Sequence, residues 1–112
     1  MSTEATLKAI AQPRREAILR LVWDRERPAG EIAAHFGDVS HAAISQHLRV
    51  LKEAGLVTER RDGRRRLYAA NPQTLAGVRR YLESFWDAAL ERLRQAVEED
   101  AVEEDKEGTH DR

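Results

Sequence analysis

The chain has 112 residues, 41% apolar and 35% charged, with a formal net charge of −1, which fits one soluble globular domain with a modest core. It has no cysteine, so disulfides, thiolate metal sites and thiol catalysis are excluded. No apolar run approaches the roughly 18 residues of a membrane span, and Met1-Ser2-Thr3-Glu4 lacks the basic and apolar stretches of a secretory signal, so the expected compartment is the cytoplasm.

In chain order, the apolar spacing predicts a short helix over Glu4–Ala11 with Thr3 as N-cap. Pro13 suits the first turn of a second helix, whose apolar set is Ala17, Ile18, Leu21 and Val22. That helix fades around Asp24. A third helix opens at Pro28 and runs through Phe36, with Gly37 placed for a left-handed C-terminal residue. Asp38 and Val39 make a tight turn. Ser40 then caps a fourth helix that continues to Ala54 and ends at Gly55. Its apolar stripe is Ile44, Leu48, Leu51 and Ala54; its polar side carries His41, Ser45, Gln46, Arg49, Lys52 and Glu53.

Beyond Gly55 the period changes. Leu56–Arg61 and Arg64–Ala70 read as two strands joined by Asp62-Gly63, a pair suited to a type I′ hairpin turn in which both central residues have positive φ. After Asn71-Pro72, a long helix is expected from about Thr74 to Val97, and residues 98–112 are expected to be an acidic, disordered tail. The near-zero net charge hides an asymmetry. His41–Arg66 holds seven Lys/Arg against three acids, whereas Glu98–Glu107 holds seven acids against one lysine.

Three helices, a tight turn, a fourth helix, a hairpin and a long last helix follow the winged helix-turn-helix plan: mainly α, with a β-hairpin wing. The fourth helix is then placed to enter the major groove with its N-terminal half. Ser40 and the free N–H groups it leaves suit a phosphate. His41, Ala42, Ser45, Gln46 and Arg49 fall on the groove-facing side. Gln bonds adenine bidentately, Arg pairs with guanine, Ser adapts, and Ala42 offers a small contact to a thymine methyl. Base reading is assigned mainly to Ser45 and Gln46, with His41 or Arg49 in support. His47 and Lys52 are counted with the DNA-facing set. Arg60, Arg61, Arg64, Arg65 and Arg66 crowd the hairpin, a density of like charge that calls for phosphates or a narrow minor groove. Tyr68 is expected to pack at the base of the wing.

Pro28–Ala33, the run Ser40-His41-Ala42-Ala43-Ile44-Ser45-Gln46-His47-Leu48-Arg49-Val50-Leu51-Lys52-Glu53-Ala54-Gly55-Leu56-Val57 and the wing Arg60–Tyr68 resemble the ArsR family of bacterial repressors. Ala9–Arg15 is similar to the family's start, and the resemblance covers roughly residues 5–97. It implies a homodimer in which the first and last helices pair, and a repressor that releases DNA when a signal binds. Leu7 and Ile10 of the first helix, and Leu82, Phe85, Trp86, Ala89, Leu90 and Leu93 of the last, are the expected dimer residues. The last helix is independently too apolar to stay exposed: either part of its stripe covers the core and part meets a partner, or the helix folds back wholly on its own core. A two-fold dimer sets two recognition helices about one DNA turn apart, hence a palindromic operator. Residues 1–97 are thus expected to form the DNA-binding and dimerisation domain.

Many members of the family sense metals through cysteines in the third helix, which here reads Glu31-Ile32-Ala33-Ala34-His35-Phe36, or through Asp and His pairs in the last helix. That helix here offers Glu83, Asp87 and Glu91 but no His, and carboxylates alone seldom hold a transition metal. No metal or cofactor is therefore expected. A small-molecule effector near Trp86 and regulation by expression level alone both stay open. No phosphate loop or nucleophile–base set points to an enzyme. The rival class is a dimeric protein-interaction adaptor that kept the winged-helix fold. For the acidic tail, added solubility and competition with DNA for the basic surface are both open readings.

Overall fold

The computed structural model describes the backbone of residues 3–108 and the side chains of residues 3–101. Five helices and three strands follow in the order α1 (Thr3–Ile10), α2 (Pro13–Leu21), β1 (Arg27–Pro28), α3 (Ala29–His35), α4 (His41–Glu53), β2 (Val57–Asp62), β3 (Arg65–Ala70) and α5 (Pro72–Gly108). The chain forms two compact units, one up to Val78 and one from Arg79 onward.

In the first unit, side chains at helical spacing converge on one core. Ile18 and Val22 come from α2 and its end, Ile32 from α3, Ile44, Leu48 and Leu51 from α4, and Leu56 and Val57 from the start of the wing; each is almost fully buried. Burial of such a side chain contributes about 1.5–3 kcal/mol, so this cluster fixes how the helices pack. Leu19 is buried too, whereas Leu21, counted on the buried face from sequence, is only half-buried. Leu75, at the start of α5, packs against the same core.

Local chemistry sets the helix ends. The Gln12 side chain accepts a hydrogen bond from the Arg15 N–H at 2.7 Å and Pro13 follows in the first turn of α2, so the missing proline donor costs nothing there. α1 already includes Thr3, so its cap lies outside the described residues. Pro28 is the N-cap of α3 rather than its first residue. Ser40 Oγ accepts from the Ala43 N–H at 3.1 Å and caps α4. At the other end of α4, Gly55 has φ 75°. The Leu56 N–H reaches the Leu51 carbonyl and the Gly55 N–H the Lys52 carbonyl, both at 2.9 Å, the paired bonds of a Schellman ending. Gly37, expected to be left-handed in the same way, is not: among the described residues only Gly55 and Gly63 have positive φ, and Phe36 caps the end of α3, its N–H bonding the Ala33 carbonyl.

The sheet has three antiparallel strands in the order β1-β3-β2. The hairpin was expected; β1 was not, because two residues, one of them proline, carry no alternating pattern. Pro28 is tolerated because β1 lies at the edge of the sheet. The hairpin turn also differs from expectation. Asp62 pairs with Arg65 as the last rung, which leaves Gly63-Arg64 as the turn. Gly63 alone has positive φ, at 64°, the pattern of a II′ turn with glycine first rather than the I′ turn read from Asp62-Gly63.

In the second unit α5 continues past Val97 to Gly108, through residues expected to be disordered. No proline interrupts the stretch 98–107 and its Glu, Asp and Ala residues offer no strong breaker before Gly108. Tyr81, Leu82, Phe85, Trp86, Leu90, Leu93 and Val97 all lie exposed along it.

Candidate nucleic-acid interface

The N-terminal half of α4 is presented outward because its buried stripe is narrow. Ile44, Leu48 and Leu51 occupy one side, and at about 100° per residue His41, Ala42, Ser45, Gln46, Arg49 and Lys52 fall on the remaining arc. All six are exposed. Ser40 is exposed at the capped end. His47 does not join them. It lies about 160° around the helix from Arg49, is half-buried, and has its imidazole held below the ordinary histidine range, first by burial and then by Arg15 and Arg14. It belongs to the packing of α4, not to the outward face.

The turn before α4 is fixed from α2. The Arg14 guanidinium donates to Asp38 Oδ2 at 2.7 Å and lies 5.1 Å from the centre of the Phe36 ring. That bond, with a backbone hydrogen bond at Asp38, holds the Asp38 carboxyl below the usual carboxylate range. One guanidinium thereby ties α2 to the α3–α4 turn.

Strand register sorts the wing arginines. Arg61 pairs with Arg66 and Glu59 with Tyr68, whereas Arg60 pairs with Leu67 and Asp62 with Arg65. Paired residues share a face of the sheet, so Arg61, Arg66 and Glu59 lie on the Tyr68 face and Arg60 and Arg65 on the other. Tyr68 is buried at the base of the wing, as expected. The crowding of like charge is relieved by carboxylates that the sequence reading left unassigned. Arg60 bonds both oxygens of Glu26, Arg65 reaches Asp62 at 3.1 Å, and Glu59 receives Lys52 at 2.8 Å and Arg66 at 3.6 Å. The Arg60 hydrogen bond pulls the Glu26 carboxyl down, and the Lys52 hydrogen bond does the same to Glu59. Among the described residues, Arg49, Arg61 and Arg64 form no ion pair.

A capped helix with a polar outward face, tied into a helical turn and followed by an arginine-bearing hairpin, is what comparison with known proteins also returns. A family model described as a helix-turn-helix domain matches residues 10–60. The HTH-type transcriptional regulator Rv2034 of Mycobacterium tuberculosis is 38% identical over 97 residues, covering 87% of this chain and 90% of that protein. An ArsR-like transcriptional regulator from Rhodococcus superposes with a TM-score of 0.70 at 29% identity, covering 84% of this chain and 91% of that one. The chain belongs to the ArsR family of transcriptional regulators. A further solved relative, from Mycobacterium bovis, is a homodimeric winged helix-turn-helix DNA-binding domain with a TM-score of 0.59 at 33% identity, covering 82% of each chain.

For this ArsR-family regulator, the remaining expected site residues are placed as follows. Leu7 and Ile10 of α1 are half-buried. Leu82, Phe85, Trp86, Leu90 and Leu93 of α5 are exposed and Ala89 is half-buried. Among the described residues, no group of three or more His, Asp or Glu side chains is brought together in a way that could hold a metal, and no helix is long and apolar enough to cross a membrane. Sequence reasoning missed Glu59 and Glu26. Glu59 was findable, since it stands two residues after buried Val57 and so shares its face. Glu26 gave no signal, because its partner Arg60 lies far along the chain.

Proposed function

We propose that this regulator is a cytoplasmic homodimeric repressor that binds a palindromic operator. The observation that carries the reading is the outward face of α4 beside a wing whose Arg61 and Arg64 form no ion pair among the described residues. Ser45 and Gln46 read base edges, supported by His41 and Arg49, and Ala42 contacts a thymine methyl. Ser40 and the N-terminus of α4 hold a phosphate. Lys52 and the wing arginines, Arg60, Arg61, Arg64, Arg65 and Arg66, follow the backbone and the adjacent minor groove.

Two-fold pairing follows from the exposed apolar stripe of α5, a surface too large to leave in water, with Leu7 and Ile10 of α1 contributing as the family resemblance implies. Residues 1–97 form the DNA-binding and dimerisation module, and the acidic segment 98–112 lies outside it. Neither α3 nor α5 offers the cysteine or aspartate–histidine sets of the metal-sensing members, which favours either a non-metal signal or regulation by expression level alone.

The test is a titration against the protein's own upstream promoter and a scrambled duplex at two salt concentrations. Selective, salt-sensitive binding, about 10³-fold or more tighter than to the scrambled duplex, is expected. Replacing Ser45 and Gln46 together by alanine then lowers selectivity more than affinity. No binding to either duplex at low salt would instead favour the interaction-adaptor reading.

A further inference from the structure

Among the three carboxylates that pair with wing arginines, Glu59 differs from Glu26 and Asp62. Its side chain is only 16% exposed, whereas those of Glu26 and Asp62 are 39% and 52% exposed. It alone meets cations from two elements: Lys52 of α4 at 2.8 Å through Oε2, and Arg66 of β3 at 3.6 Å through Oε1. Lys52 and Arg66 themselves are more than half exposed. A half-buried negative charge thus sits between two cations, one on the proposed recognition helix and one on the wing. Arg61 shares its face of the sheet and also acts on Glu59 electrostatically, without forming an ion pair with it.

We infer that Glu59 is a positioning residue for DNA binding, an internal counter-anion that joins the recognition helix to the wing and halves the charge that Lys52 and Arg66 offer to phosphates. This rests on the proposed DNA-binding function and deepens it. The trio of Lys52, Glu59 and Arg66 carries one net positive charge rather than two. Sequence-independent affinity grows with the number of phosphates neutralised. A carboxylate here therefore restrains binding to arbitrary DNA while it fixes the two cations relative to each other. The cost is some total affinity; the gain is a smaller background against which Ser45 and Gln46 discriminate.

The test uses Glu59→Gln, which keeps an acceptor for Lys52 and removes the charge. Binding to a mixed-sequence duplex, which requires no knowledge of the operator, is measured across a salt series. The slope of log affinity against log salt is expected to steepen by about one. The variant then binds tighter than wild type at low salt, and its advantage shrinks roughly fourfold between 50 and 200 mM salt. Lys52→Gln added to Glu59→Gln returns the slope to about the wild-type value. A purely structural role for Glu59 would leave the slope unchanged or weaken binding at every salt. Glu16→Gln on α2, the same change in net charge, is the control for place. Should the amide be poorly tolerated, Glu59→Thr reads the same slope with a good strand former.

An unchanged slope in a folded variant, or an equal change in Glu16→Gln, overturns this inference and leaves the DNA-binding reading intact. Wild-type protein that binds no duplex even at low salt overturns both.

Discussion

Arg61 and Arg66 stand directly opposite each other on β2 and β3, and both are exposed. Like charges at paired positions of an antiparallel ladder oppose each other at short range. Arg66 is relieved by Glu59 at 3.6 Å, but Arg61 has no ion-pair partner among the described residues. A wing built for stability alone would not place them so. Arg61→Thr is therefore expected to stabilise the fold by about 0.2–1 kcal/mol, read as a higher midpoint in urea. The same variant loses one phosphate contact, and its salt slope on DNA becomes shallower by about one. A variant both less stable and unaltered in DNA binding would contradict this account of the wing.

The cap of α4 carries a second expectation. Ser40 Oγ is the acceptor that satisfies the Ala43 N–H. Ser40→Ala should lower stability by about 1 kcal/mol, and Ser40→Gly by only a few tenths. Ser40→Asp should keep the cap yet weaken DNA binding, because a carboxylate then faces the phosphate expected at that helix end. Chemical denaturation and DNA titration of the three variants separate folding from binding.

Association is tested on α5. Phe85 and Trp86 are each 62% exposed on a helix that also exposes Leu82, Leu90 and Leu93. Wild-type protein should sediment at about twice the 12.8 kDa chain mass if these residues meet a second copy. Trp86→Glu should shift it toward monomer and weaken operator binding, since one half-site then binds alone. Monomeric wild-type protein at micromolar concentration would end the dimer proposal.

His47 and the ion-paired carboxylates Glu26, Asp38 and Glu59 give the fold an acid-side pH dependence in two separate windows. Burial holds the His47 imidazole below its ordinary range, so the fold prefers it neutral while the unfolded chain takes up the proton first. Stability is full above roughly pH 6.5 and falls as the pH drops toward the folded value. His47→Gln should flatten the urea midpoint between pH 7.5 and 5. The Glu59 carboxyl, held low chiefly by Lys52, contributes stability above its ordinary value, lost as the pH falls further. A decline between pH 7.5 and 5 that persists in His47→Gln would assign it to another group.

The sequence by itself determined the helices, the hairpin and the outward face of α4, because each rests on neighbours within a few residues. Apolar residues at 3–4 spacing can bury together on one helix only in one way, Ser40 lies within reach of the amide it caps, and Gly55 follows the last turn it closes. The family resemblance lay in the same continuous run. Tertiary structure decided what depends on distant parts of the chain. The place of β1 rests on pairing Arg27 with Tyr68, and two residues carry no periodicity to announce it. The hairpin turn moved by one residue because the Asp62–Arg65 rung is set by the register of the whole ladder, not by the turn dipeptide. His47 left the DNA-facing set because the packing of α4 against the rest of the unit decides which of its polar residues stay in water. Which arginines remain free was likewise a matter of space: Glu26 and Glu59 find Arg60, Lys52 and Arg66 only after the sheet and α4 are assembled, since ion pairing depends on distance between charges and not on distance along the chain.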